Sequence, residues 1–377
     1  MKVSTAAVRA VMALIAQAQG DKGTVTLTPG DGSLTLCALS SERSARTTVQ
    51  AITDEDEFPE CAVNAALLSA IVSGDGEVTE IKLKPGTSAL AIKNGAANTT
   101  LATSVANDFA MLDPKTVQPG DRTAFVMPLG LFTQAIGRVQ HAVADFKASP
   151  VQSTVQMIIT AKGDLITVAL DGYRIAFSQM GIPEWTGEPI NILIPPTRAI
   201  DRLMTLAKPE DPARVMIANG KVLVAIRADG VATELVLNSI AGNYPDWTGM
   251  VKQQPTIIAE VDTKALRDMI SHAMTVAAKP LSAQFAVKGT KLAIVVRNDQ
   301  AGIAHHDAIA VNEIKGLEEG ATFNIVAGPR NMLDALSQQL DWTDSTKTRI
   351  GFTTPTKPIV MTAVGYTYAN YVWPMAK

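Results

Sequence analysis

The sequence repeats one pattern three times at a constant interval. Each copy is an apolar strand followed by an amphipathic helix, and the three helices open at Asn64, Thr197 and Arg330, about 133 residues apart. That interval is far longer than the roughly 20 to 50 residues of solenoid repeats. The chain is therefore expected to contain three copies of a whole domain.

Each copy also has an earlier helix and a series of hairpins. These first helices are predicted at Thr5–Gln19, Pro128–Lys147 and Lys264–Lys279, with Asp262 as the cap of the third. Around the second helices, apolar and polar residues alternate in strands joined by Gly, Pro and Asn turns, which indicates sheets with one buried face. Each domain is thus expected to be an α+β unit in which two helices pack on an antiparallel sheet.

The 377 residues suit three domains, with predicted limits at 1–122, 123–254 and 255–377.

The net charge of −3 is unlike that of a strongly basic nucleic-acid binder, so any DNA contact must be made by a locally basic surface. Cys37 and Cys61 lack the paired spacing of a metal site or a disulfide framework. Arg9 interrupts the apolar N-terminal run, which argues against a signal peptide, and no segment is apolar enough to span a membrane. We expect a cytoplasmic protein with no membrane contact.

Four short motifs resemble those of one family in the same order. They are Leu170–Ser178 (LDGYRIAFS), Asn107–Pro114 (NDFAMLDP), Gly242–Trp247 (GNYPDW) and the C-terminal Tyr371–Lys377 (YVWPMAK). Together with the three-domain layout, they resemble the bacterial sliding clamp, the beta subunit of DNA polymerase III. The resemblance covers the whole chain, although each motif alone is short.

The resemblance implies a non-catalytic processivity factor without a cofactor. Two chains would join head to tail into a closed ring, with helices inside and sheets outside. Twelve helices at about 9 Å spacing would surround a hole of roughly 24 Å, wide enough for duplex DNA. The implied partners are double-stranded DNA, the catalytic subunit of the replicative polymerase, a clamp loader and a second copy of the chain.

The resemblance also implies an apolar cleft between the second and third domains that binds a short peptide of each partner. Large apolar side chains buried there would contribute roughly 1.5 to 3 kcal/mol each. Tyr173 replaces a histidine that is common in the family, and Trp373 alters the tail. The cleft residues are expected to be Val155, Leu170, Gly172, Tyr173, Arg174, Ile175, Pro245, Met250, Thr356, Pro358, Trp373, Pro374 and Met375. Several of these, Leu170, Ile175 and Met250 among them, could equally be core residues.

Basic residues on the helices are candidates for facing DNA, although ordinary solvated helices carry them too. In the family, the stretch after the first helix of the second domain is often aromatic and basic, whereas here Ser149–Thr154 is uncharged. The candidates are Arg9, Arg138, Lys147, Arg198, Arg202, Arg267, Lys279 and Arg330.

By family position, the strand in Gly302–Val311 (GIAHHDAIAV) would lie at the subunit junction, pairing with Asn98–Thr103 of the other chain. Its histidines predict a pH-sensitive dimer. Adjacent strand residues point to opposite faces, so His305, His306 and Asp307 are not expected to share one ion, and no metal site is predicted.

Two other classes of function stay open. The first is a scaffold that has kept the clamp fold and lost DNA loading, which the sparse basic residues permit. The second is a hydrolase that uses Asp171, Tyr173 and Arg174, although the sequence has no Gly-x-Ser-x-Gly motif, no phosphate-binding loop and no metal-ligand spacing.

Overall fold

The computed structural model describes residues 1–19, 23–53, 58–106, 122–252, 254–278 and 280–375. The motif at Asn107–Pro114 and the candidate Lys279 lie outside these residues. The first part of the chain forms β1 (Lys2–Ser4), α1 (Thr5–Gln19), β2 (Thr24–Gly30), β3 (Ser33–Leu39), β4 (Arg43–Ile52), β5 (Cys61–Asn64), α2 (Ala65–Val72), β6 (Val78–Leu83), β7 (Ala89–Asn94) and β8 (Ala97–Ala102).

The middle part repeats this order with shorter helices. It forms β9 (Arg122–Pro128), α3 (Leu129–Gly137), a 3-10 turn (Gln140–Ala142), β10 (Val155–Ile159), β11 (Asp164–Leu170), β12 (Arg174–Gly181), β13 (Ile190–Ile194), α4 (Ala199–Leu203), β14 (Pro212–Ala218), β15 (Lys221–Ala228), β16 (Val231–Asn238) and α5 (Thr248–Val251).

The last part of the chain again contains two helices among strands. It forms β17 (Ile257–Asp262), α6 (Thr263–Val276), β18 (Ala283–Lys288), β19 (Lys291–Asn298), β20 (Ile303–Ala310), β21 (Glu313–Lys315), β22 (Thr322–Ala327), α7 (Pro329–Trp342), β23 (Lys347–Phe352), β24 (Ile359–Ala363) and β25 (Tyr368–Val372).

Contacts group the chain into two compact units that both draw on the middle third. Unit 1 comprises Met1–Thr133, Ala161–Gly163 and Ile182–Ile240. Unit 2 comprises Gln134–Thr160, Asp164–Gly181 and Ala241–Lys377. The division at residues 122 and 254 therefore stays a prediction from the repeats.

Unit 1 contains one continuous antiparallel sheet. Its strands follow the order β8-β7-β6-β1-β4-β16-β15-β14-β9, with β2, β3 and β5 attached beside β4. The pairing of β4 with β16 joins strands from the first and middle thirds of the chain. Helix α1 buries Val8, Val11, Met12 and Ile15, which recur at helical spacing on its core-facing side. The predicted limits of this helix are confirmed.

Unit 2 joins the middle third to the last third in the same way. Strand β12 pairs with β25, so the sheet runs β10-β11-β12-β25-β24-β23-β17-β21. A second sheet has the order β20-β19-β18-β22. Helices α6 and α7 pack over a core that includes Leu266, Ile270, Phe285, Leu336 and Phe352. Asp262 caps α6 by accepting the Ala265 amide at 2.7 Å, as predicted.

Two predicted helices are shorter in the structure. The helix expected over Pro128–Lys147 ends at Gly137. The Trp342 ring packs so closely there that a Cβ on Gly137 would lie 2.5 Å from it. Helix α4 covers only Ala199–Leu203 of the expected second helix. None of the helices in the described ranges is long and apolar enough to cross a membrane.

Candidate partner-binding site

The turn between β11 and β12 is shaped by the side chain of Asp171. Its Oδ1 accepts the backbone N–H groups of Tyr173 at 2.9 Å and Arg174 at 3.0 Å. Gly172 adopts a φ of +87°, a conformation that side-chain-bearing residues rarely take. The turn leaves Tyr173 66% exposed on the surface of unit 2.

Arg174 connects this turn to helix α7. Its Nε donates to Oδ2 of Asp171 and its Nη1 donates to Oδ2 of Asp334, both at 2.9 Å. Arg330 lies one helical turn before Asp334 and pairs with the other carboxylate oxygen at 3.0 Å. The side chains of Asp171 and Arg174 thus bind each other, the backbone of the turn and Asp334. These structural contacts argue against a hydrolase that uses Asp171 and Arg174 for catalysis.

The C-terminal tail is fixed beside the turn by backbone hydrogen bonds. The amide of Trp373 donates to the carbonyl oxygen of Tyr173 at 2.9 Å, and the amide of Met375 donates to that of Val326 at 2.9 Å. Pro374 forms an isolated bridge with Ala327. The tail therefore follows β25 along one edge of a groove whose other edge is the start of α7.

This groove has a volume of about 520 Å³ and a mainly apolar surface. Leu281, 85% exposed, and Tyr173 are its most exposed large apolar side chains. Met274 and Met375 add flexible thioether side chains that adapt to different ligand shapes. The lining residues are Tyr173, Met274, Pro280, Leu281, Gly328, Arg330, Asn331, Trp373 and Met375. Such a surface fits the bulky apolar side chains of a short peptide, with Arg330 and Asn331 as polar contacts.

An apolar core lies beneath the turn rather than at the surface. Leu170, Ile175 and Trp247 pack there with Val360 and Tyr371 from the last third of the chain. The indole Nε1 of Trp247 donates to Oε1 of Gln156 at 2.8 Å. The hydroxyl of Tyr244 accepts the Leu170 amide at 3.2 Å, and burial raises the pKa of that hydroxyl. This core supports the turn from below.

The structure divides the predicted cleft residues into several groups. Tyr173, Trp373 and Met375 line the groove. Val155, Leu170 and Ile175 are buried, which favours the core role that the sequence left open for Leu170 and Ile175. Met250 and Thr356 are exposed and Pro358 is buried, but none of these lines the groove formed by the described residues. Gly172 and Arg174 shape the turn, while Pro245 and Pro374 are half-buried.

Sequence reasoning missed five of the groove residues, namely Met274, Pro280, Leu281, Gly328 and Asn331. They belong to the end of α6, the segment after it and the start of α7. The sequence contained one signal for them. Leu281 follows a Lys-Pro pair and falls outside the apolar period of the preceding helix, which is typical of an exposed leucine.

The candidate DNA-facing residues differ in how available their charges are. Arg198, the N-cap residue of α4, and Arg202 within the helix are exposed in unit 1. Arg9 is also exposed, but its guanidinium donates to the carbonyl oxygens of Val72 and Gly74 at the end of α2. Lys147 is exposed in a turn. Of these four candidates, Arg198 and Arg202 are thus the two at the short helix α4.

In unit 2, the expectation for Arg138 is corrected. Only 4% of the residue is exposed, and its guanidinium donates to the Trp342 carbonyl oxygen and lies 5.0 Å from the centre of the Tyr366 ring. Arg267 is half-buried and pairs with Asp268 at 3.0 Å. Arg330 lines the groove. Arg138 is thus a structural residue that fixes the end of α7.

The histidine strand contains a possible ligand set that the sequence did not suggest. His305 and His306 of β20 do face opposite ways, as predicted, but His305 and Asp307 lie on the same half-buried face. Together with His272 of α6, they bring three possible ligand atoms within 4.8 Å of one another. The argument against a shared ion concerns the adjacent histidines and does not apply to this trio, whose third member comes from helix α6.

Solved structures with the same architecture are bacterial clamps. A DNA polymerase III beta subunit from Thermotoga maritima matches with a TM-score of 0.84 at 20% identity, over 100% of this chain and 99% of that one. The DNA polymerase sliding clamp from Bacillus subtilis matches with a TM-score of 0.82 at 19% identity, over 100% and 98%. The fold is thus the α+β sliding-clamp fold, as the repeats and motifs predicted.

Family models give the narrower assignment. The central domain of the DNA polymerase III beta subunit matches residues 127–246, and its C-terminal domain matches residues 251–376. The chain therefore belongs to the DNA polymerase III beta subunit family. The beta sliding clamp of Caulobacter vibrioides is 25% identical over 175 residues, 46% of this chain and 44% of that protein. That of Bacillus subtilis is 23% identical over 274 residues, 72% and 68%. The alignment thus spans less than half of the Caulobacter protein.

Proposed function

We propose that this protein is a DNA sliding clamp, a non-catalytic ring that encircles duplex DNA and tethers the replicative polymerase. The observation that carries the proposal is the apolar groove of Tyr173, Trp373 and Met375, built on a chain with the clamp fold. Its turn and tail are fixed by hydrogen bonds before any partner arrives, so binding a peptide costs little ordering of the protein.

The ring would form from two chains joined head to tail. Strand β8 ends the sheet of unit 1 and β20 ends the second sheet of unit 2, and each has only one strand neighbour among the described residues. Unpaired strand edges of this kind invite pairing with another chain. A dimer has two junctions, and each would pair β8 of one copy with β20 of the other. Both end strands of both copies are then paired, and the ring is closed.

DNA would be retained by topology rather than by tight binding. A clamp loader would open the ring using ATP, and the exposed α4 arginines would make loose phosphate contacts. The net charge of −3 is compatible with this arrangement because strong phosphate binding would hinder sliding. The loader, the polymerase and the duplex would place the protein in the cytoplasm.

A clamp-fold scaffold without DNA loading is the second candidate. Arg138 is buried, and Arg267 and Arg330 are engaged in ion pairs, so part of the expected basic surface has structural partners. This reading keeps the partner groove and the dimer but removes the duplex.

Loading on DNA separates the two candidates. The protein would be incubated with a bacterial clamp loader, ATP and either circular or linear DNA, then passed through a sizing column at about 0.3 M salt, where the Debye length of about 6 Å screens phosphate contacts. A clamp is retained on circles, lost from linear DNA and retained again when both ends are blocked by a bulky bound protein. Loss from all three, with a dimer seen by light scattering, would instead support the scaffold.

A further inference from the structure

We propose that His272, His305 and Asp307 bind a divalent first-row transition-metal ion, with Zn²⁺ as the ion to test. The donor set is two imidazoles and one carboxylate, a combination that zinc and related ions favour. The site lies between helix α6 and strand β20 of unit 2. It is separate from the partner groove and does not depend on the proposed clamp function.

The backbone places all three side chains on one side. His305 and Asp307 are two residues apart on β20, so they project from the same face of the strand. That face is half-buried, whereas His306 and Ala308 on the other face are exposed. Helix α6 packs against β20 and contributes His272 from its solvent-exposed side.

The spacing is close to that of a metal site. Nδ1 of His272 lies 3.6 Å from Oδ2 of Asp307, and the rings of His272 and His305 are 4.9 Å apart at an angle of 80°. Ligand atoms about 2.0 to 2.1 Å from a tetrahedral zinc ion are roughly 3.3 Å apart. The three ligand atoms lie up to 4.8 Å apart, and small rotations of the His272 and Asp307 side chains would bring them to this spacing. These side chains have room to rotate because they are 61% and 37% exposed.

Two further features point to a ligand. Nε2 of His305 is buried and has no hydrogen-bond partner within the described part of the chain, an arrangement that costs free energy unless something occupies that nitrogen. Oδ1 of Asp307 accepts the Ala308 amide at 2.8 Å, which orients the carboxylate and leaves Oδ2 toward His272. Hydrogen bonds that orient a ligand in this way are typical of metal sites. Solvent would complete the coordination.

The test measures Zn²⁺ binding to tag-free, chelator-stripped protein by competition with a chromophoric chelator. We expect one ion per chain. His272→Ala, His305→Ala and Asp307→Asn should each weaken binding by at least about tenfold. His306→Ala is the matched control, because it removes a histidine from the same strand on the opposite face, and its affinity should stay within about twofold.

Co²⁺ gives a second readout. Its visible d–d absorption should appear with the wild type and with His306→Ala and disappear in the three ligand variants, while excess Mg²⁺ should not displace it. Equal Zn²⁺ uptake by wild type and a combined His272→Ala, Asp307→Asn variant would overturn the proposal, as would an equal loss in His306→Ala. Circular dichroism would confirm that the variants, all at least partly exposed positions, remain folded.

Discussion

Nη1 of Arg174 donates to the carboxylate of Asp334 across 2.9 Å, and this contact joins the turn after β11 to helix α7. The Arg174 side chain is only 13% exposed, so it cannot easily exchange this partner for water. The same guanidinium also contacts Asp171 of its own turn. The shape of the partner groove therefore depends on a largely buried ion-pair network.

Removing this network is expected to destabilise the protein. Arg174→Gln leaves two acidic groups with one fewer partner, and we expect the free energy of unfolding to fall by about 1 to 3 kcal/mol. A double-mutant cycle with Asp334→Asn, measured by urea denaturation, should give a coupling near 1 kcal/mol. The exposed pair of Lys264 and Asp268 is the control, and its coupling should stay below about 0.5 kcal/mol. Equal coupling in both pairs would contradict this account.

Truncation of the groove should weaken binding of polymerase-derived peptides without unfolding the chain. Tyr173→Ala and Met375→Ala each remove an apolar wall of the groove, and we expect each to weaken binding by about 10- to 100-fold in fluorescence anisotropy. Phe146→Ala is the control, since Phe146 is also an exposed aromatic residue, 58% exposed, and lies outside the groove. Unchanged affinity in the Tyr173 and Met375 variants would show that the peptide binds elsewhere.

The salt dependence of DNA association should depend on helix α4. Arg198→Ala and Arg202→Ala together should lower the slope of log affinity against log salt by up to about 2, because each phosphate contact contributes roughly 0.9. Arg46→Ala removes one positive charge from the sheet, as each single α4 variant does from its helix, and is the control for the single variants, since Arg46 pairs with Glu234. A slope that changes more with Arg46→Ala than with either α4 variant would assign the DNA contact to the sheet.

His141 should make stability fall in mild acid. Burial, followed by the nearby charge of Arg174, lowers the pKa of His141 to about 3 in the folded chain. The unfolded chain, with a pKa near 6.5, then binds the proton more tightly, so this stability is present above about pH 6.5 and is lost as the pH falls toward 3. Between pH 7 and 5 the loss should reach at most about 2 kcal/mol. His141→Gln should flatten the pH profile of urea denaturation by that amount, and an unaltered profile would exclude this cause.

Gly137 should tolerate no larger residue. Its missing Cβ faces the Trp342 ring at 2.5 Å, and we expect Gly137→Ala to cost about 1 to 3 kcal/mol from overpacking, despite the better helix propensity of alanine. Gly181→Ala is the control, because no atom lies within 4 Å of its added Cβ and its φ is ordinary. Thermal unfolding of both variants measures the difference, and equal midpoints would show that the ring moves aside without cost.

The local elements were predictable where the apolar period extends without interruption. Helix α1 follows its predicted limits because Val8, Val11, Met12 and Ile15 share one face. The close approach of Trp342 to the last residue of α3 was not predictable, because Trp342 lies about 200 residues further along the chain. Arg138 could not be distinguished from a solvated arginine for the same reason, since the carbonyl that it binds is also that of Trp342.

In the candidate functional sites, too, contacts between residues distant in the sequence could not be predicted. The Asp-Gly-Tyr-Arg turn was identifiable because four adjacent residues carry it, whereas the α6 and α7 contributions to the groove depend on tertiary packing. In the proposed metal site, period-two alternation could have placed His305 beside Asp307. His272 belongs to a helix 33 positions earlier, and only the packing of α6 against β20 brings it there.

The pairing of β4 with β16 and of β12 with β25 means that this chain cannot be cut into its own repeats. A fragment starting near residue 123 would leave the backbone of β16 without its β4 neighbour, and one starting near residue 255 would leave β25 without β12. Each cut would leave one edge of a mostly buried strand unpaired, and an unpaired edge of this kind is a site of aggregation. The threefold pattern of the sequence therefore does not mark three pieces that could be expressed separately.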